Sequence, residues 1–96
     1  MARRAATDPR QTYLVEHYRP GFGVDELREL VSRVRDTVAE MSQDGTAVRH
    51  MRSTIVPVDE SFLCVFEAAC EELVREACAR AGISFERISL ALAEEG

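Results

Sequence analysis

The stretch AVRHMRSTIVPV, residues 47–58, decides how the chain is read. Its β-branched residues mark a strand, and strand side chains alternate between two faces. Strict alternation puts Met51, Ser53 and Ile55 on one face. Val48, His50, Arg52, Thr54 and Val56 then share the other. An imidazole and a guanidinium stand side by side among apolar residues. That face either meets water, as edge strands often do, or lines a chamber.

The other elements follow from their periods. TYLVEHY, residues 12–18, alternates as a first strand, with Tyr13, Val15 and His17 on one face and Leu14, Glu16 and Tyr18 on the other. RPGFG breaks it. From Asp25 to Met41, Leu27, Leu30, Val31, Val34, Val38 and Met41 recur at helical spacing, with Asp25 as the expected N-cap. Gly45 suits the turn that follows. FLCVFEA, residues 62–68, is almost continuously apolar, as in a strand covered on both faces. CEELVREACARAG, residues 70–82, predicts a second helix with Cys70, Leu73, Val74, Ala77, Cys78 and Ala81 in its apolar stripe. RISLALA, residues 87–93, predicts a last strand.

Strand, helix, strand, strand, helix, strand is the order of a ferredoxin-like α+β fold with a four-stranded antiparallel sheet. Both helices are expected on one sheet face. Covering the other calls for a second copy, hence a homodimer of the α/β-barrel type with a chamber between or within its sheets. The expected divisions are a disordered tail over 1–11, one domain over 12–93 and a frayed end over 94–96.

The chain has 96 residues, 46% of them hydrophobic, and a net charge of −5 from 12 basic and 17 acidic residues. That balance argues against nucleic acid or an anionic membrane as partner. No apolar run is long enough for a membrane span or shaped as a signal peptide, so a cytoplasmic protein is expected. Three cysteines without a CxxC pair argue against a disulfide framework.

YLVEH, CVFEA and EELVREACARAGISFERI together resemble the DUF4242 family of small bacterial proteins, over roughly residues 12–92. The resemblance implies a dimerising ferredoxin-like fold. It also implies nickel binding, because one member is described as nickel-binding. Glu16 and Glu67 carry over position by position. Where the family's second strand tends to an aromatic, a His and a Tyr, this chain has His50, Arg52 and Thr54, and Arg is no metal ligand.

Three functions compete. The first is a small organic molecule bound in the chamber, with or without cofactor-free proton transfer of the isomerase or cyclase type. His50 would be acid or base, Arg52 an oxyanion clamp and Glu16 an orienter or base. Tyr18, Thr54, Cys64, Phe66 and Glu67 complete this expected ligand-binding set. The second is a nickel site from His17, His50 and Glu16, or Glu67. The third is an interaction module without chemistry. Each site residue also has a structural reading. Glu16 could pair with Arg52 to support the sheet, Glu67 could favour the second helix start, and His17 could pack under a helix.

Overall fold

The computed structural model describes residues 10–92 and 94. The order is β1 (Gln11–Tyr18), α1 (Val24–Gln43), β2 (Val48–Val56), β3 (Ser61–Ala68), α2 (Glu71–Ala81) and β4 (Arg87–Ala91). A 3₁₀ turn over Pro57–Asp59 joins β2 to β3. The four strands form one antiparallel sheet in the order β2-β3-β1-β4. This is the expected ferredoxin-like α+β fold.

Both helices lie on one face, and their apolar stripes explain it. Leu27, Leu30, Val34, Val38 and Met41 of α1 are buried, as are Val74, Ala77, Cys78 and Ala81 of α2. They close over Tyr13, Val15, Phe62, Cys64 and Phe66. Gly82 ends α2 at φ 73°, a left-handed conformation that glycine adopts without strain. The Arg33 guanidinium reaches across from α1 and donates to the Ala81 carbonyl at 2.7 Å.

Some boundaries differ from expectation. Gly23, not Asp25, takes the N-cap place of α1, because Glu26 reaches back and accepts from the Gly23 N–H at 2.8 Å. Cys70 is exposed at the N-cap of α2 and leaves the packing stripe to Cys78. β1 starts at Gln11, inside the expected tail. The rest of that tail up to residue 9, and Ala93, Glu95 and Gly96 at the other end, lie outside the described residues.

The main departure is in β2. His50 pairs with Phe66 and Arg52 with Val65, so Met51 is an extra residue in a β-bulge. A bulge places two residues opposite one and inverts the alternation beyond it. Before the bulge Val48 and His50 face the helices; after it Ser53 and Ile55 do. Arg52, Thr54 and Val56 turn to the open face.

Candidate functional site

The pairing registers define the side chains across each face. On the helix side the rows are Val48–Ala68–Gln11, His50–Phe66–Tyr13–Leu90, Ser53–Cys64–Val15–Ile88 and Ile55–Phe62–His17. On the open side they are Arg49–Glu67–Thr12–Ala91, Arg52–Val65–Leu14–Ser89, Thr54–Leu63–Glu16–Arg87 and Val56–Ser61–Tyr18.

This separates the expected catalytic trio. His50 stands on the helix side, Arg52 and Glu16 on the open side. Glu16 pairs with Arg87 rather than Arg52, Oε2 to Nε at 2.8 Å. Arg52 makes no ion pair among the described residues. Of the expected ligand-binding residues, Tyr18, Thr54 and Glu67 lie on the open face. Cys64 and Phe66 do not: both are fully buried under the helices. Burial pushes the Cys64 thiol up to about 11, although its bond to Ser53 opposes this, so it stays protonated and unreactive.

The two imidazoles serve the core. His17 is buried and lies flat on Phe62, with ring centroids 4.3 Å apart and planes within 9°. Its Nδ1 donates to the Ser84 carbonyl at 2.9 Å, and the buried Nε2 has no hydrogen-bond partner among the described residues. Burial holds its pKa below the ordinary value, with Arg19 acting in the same direction against the Ser84 bond and Glu86. His50 meets Phe66 edge-on at 5.7 Å. Its Nε2 lies 2.8 Å from Ser53 Oγ, which lies 3.1 Å from Cys64 Sγ. Burial, then the nearby Arg35, lowers its pKa too.

A nickel site needs several imidazole, carboxylate or thiolate donors converging on one point. The expected set does not converge. The Ser53–Cys64–Val15 row separates His50 from His17 on the helix face, and Glu16 projects from the other face. Among the described residues no three His, Cys, Asp or Glu are grouped to hold a metal. The described residues of a single chain therefore do not fit the ion.

The open face is the stronger candidate. Leu14, Leu63 and Val65 sit half-buried at its centre. Charges flank them on opposite edges: Glu16 with Arg87, and Arg49 with Glu67 at 3.8 Å. Arg87 and Ser53 were not singled out by sequence reasoning. Arg87 carried a usable signal, because it alternates with Ile88 and β1 lies beside β4 in this topology. Ser53 carried none until the bulge placed it beside His50.

No helix among the described residues is long and apolar enough to cross a membrane. No curated protein matches the chain. The crystal structure of SCO4226 from Streptomyces coelicolor A3(2) is similar in fold, with a TM-score of 0.69 at 18% identity. The match covers 88% of this chain and 99% of that one. A family model described as nickel responsive protein SCO4226-like matches residues 13–90. The DUF4242 resemblance is compatible with that match in fold and in its nickel-binding member. The chain belongs to the SCO4226-like family of nickel responsive proteins.

Proposed function

We propose that the chain is a homodimer whose open sheet faces pack together and enclose a binding chamber for a small organic anion. The observation that carries this reading is the open face itself. Leu14, Leu63 and Val65 form an apolar centre that neither helix covers, and Arg52 stands beside it without an ion-pair partner among the described residues. A second sheet removes the apolar centre from water. Arg52 then offers a forked donor to a carboxylate in a partly dry setting. The reading is of binding rather than catalysis, because both imidazoles, the side chains suited to proton transfer at neutral pH, face the helices.

The test begins with the mass of the protein in solution by light scattering. A dimer is expected, and Val65→Glu is expected to make it monomeric. Thermal shift with a panel of small mono- and dicarboxylic acids should then raise Tm, and Arg52→Ala should abolish the rise. A wild-type monomer at working concentration would overturn the reading.

The family description supports a second reading, nickel held between copies by Glu16 and Glu67 of facing sheets. Calorimetric titration with nickel separates the two readings. Uptake lost in Glu16→Gln but kept in Arg52→Ala would favour the metal; a response to carboxylates alone would favour the organic anion.

A further inference from the structure

We propose that the chamber ligand is an amphiphile with one carboxylate head and an unbranched apolar tail, a medium-chain monocarboxylic acid, lying across the strands along the row Arg52–Val65–Leu14–Ser89. This rests on the face-to-face dimer proposed above and narrows the class of anion it takes.

Charge sets the number of heads. The four rows of the open face carry three guanidiniums, Arg49, Arg52 and Arg87, and two carboxylates, Glu16 and Glu67. Glu67 holds Arg49 at 3.8 Å, and Glu16 holds Arg87 at 2.8 Å. One positive charge is left over, on Arg52, in a chain of net charge −5. One surplus cation matches one carboxylate. A second carboxylate at the far end of the row would reach Arg87 only by displacing Glu16. Otherwise it would lose its water under the second sheet without gaining a partner, which is costly.

Shape sets the tail. From Arg52 to Ser89 the row crosses three strand spacings, about 14 Å. The side chains between them are Val65 and Leu14, both apolar and half-buried. Packed sheets stand about 10 Å apart, a gap that side chains fill. Leu14, Leu63 and Val65 fill it at the centre. At the β1–β4 corner the open-face residues are small: Ser89 and Ala91 on β4, and Thr12 on β1. Such a corner leaves space under the second sheet for the end of a tail. The head stays at the β2 edge, where Arg52 is exposed in the single chain. Covering the face removes water from the apolar row, so each methylene laid along it adds affinity.

The test is a calorimetric titration of the full chain at neutral pH with acetate, butanoate, hexanoate and octanoate, all below micelle-forming concentrations. Light scattering follows the mass in parallel. Affinity is expected to rise about fourfold per added methylene until the row is full. Suberate, with octanoate's length and a carboxylate at each end, should bind about tenfold more weakly than octanoate. Arg52→Gln should weaken octanoate by about tenfold as well. Ser89→Leu fills the far end of the row, so it should weaken octanoate more than butanoate and end the rise at a shorter chain. A merely structural role for Ser89 would weaken both alike. Should Ser89→Leu change the mass, Ala91→Val provides the same check. A dimer whose affinities are flat along the series, that binds suberate as well as octanoate, or that keeps its octanoate affinity in Arg52→Gln would overturn this inference and leave the chamber reading standing. A monomeric parent would overturn both.

Discussion

The two faces of this sheet are built by the same strands, yet they use polar residues in opposite ways. On the helix side, His17 stacks flat on Phe62 and His50 meets Phe66 edge-on, each with one nitrogen committed to a neighbour. On the open side, Glu16, Arg87, Arg49 and Glu67 pair at the margins of an apolar centre. A polar group under the helices must find its partner within the core, because an unpartnered buried group is costly. A polar group on the open side can be satisfied by water, a neighbour or an incoming ligand. Residue type alone therefore does not mark a site in this protein; the face does.

Adjacent residues of β3 test that contrast most directly. Phe66→Ala empties a fully buried position and should cost about 3–5 kcal/mol. Val65→Ala on the open side should cost about 1 kcal/mol in the monomeric state. Urea unfolding of both variants, measured below the association concentration, checks the ratio. Equal costs would mean that the open face is as densely packed as the helix face.

The imidazoles give the next effect, through pH. His17 and His50 both have folded-state pKa values below the unfolded value of 6.5. The unfolded chain therefore binds more protons as pH falls. Stability from these groups is fully present above 6.5 and declines as pH drops through and below it, by at most about 1.4 kcal/mol per pH unit for each proton. His17→Gln should flatten the decline between about pH 6.5 and 5. An unchanged slope in that variant would place the proton elsewhere.

How much of this was legible in the sequence differs by element. The periods of α1, α2 and β1 are strong because polar residues fill their exposed positions, so element order and topology could be read directly. β3 was legible as a strand but not in phase. Leu63 and Val65 are as apolar as Phe62 and Phe66, so alternation does not say which set meets the helices. Cys64 and Phe66 therefore enter the expected ligand-binding set although both lie buried under the helices. In β2 the phase error came from Met51, which carries no bulge marker such as glycine. Glu16 was expected to meet Arg52, two strands away; the pairing of β1 with β4 supplied Arg87 instead.

The ion pair itself is a smaller matter. Glu16 and Arg87 are partly open to solvent, and exposed pairs contribute about 0.2–1 kcal/mol. Glu16→Gln should lower stability by no more than that, with a reduced effect at high salt. A cost of several kcal/mol, measured by chemical unfolding, would mean that the open face is buried against a partner and the pair is dry.

The smallest expected effect is also the sharpest test of the bulge. In an unbulged β2, deleting one residue would send every later side chain to the opposite face and drive Arg52 and Thr54 under the helices. Here Met51 is the extra residue, so its deletion leaves His50 opposite Phe66, Arg52 opposite Val65 and Ser53 opposite Cys64. The cost should be under about 0.5 kcal/mol, that of a surface change which leaves other contacts intact. Deleting Ser53 has no such escape and should unfold the domain or shift its register. If the two deletions proved equally harmful by circular dichroism and thermal melting, the division of His50 and Arg52 between the faces would fail with the bulge.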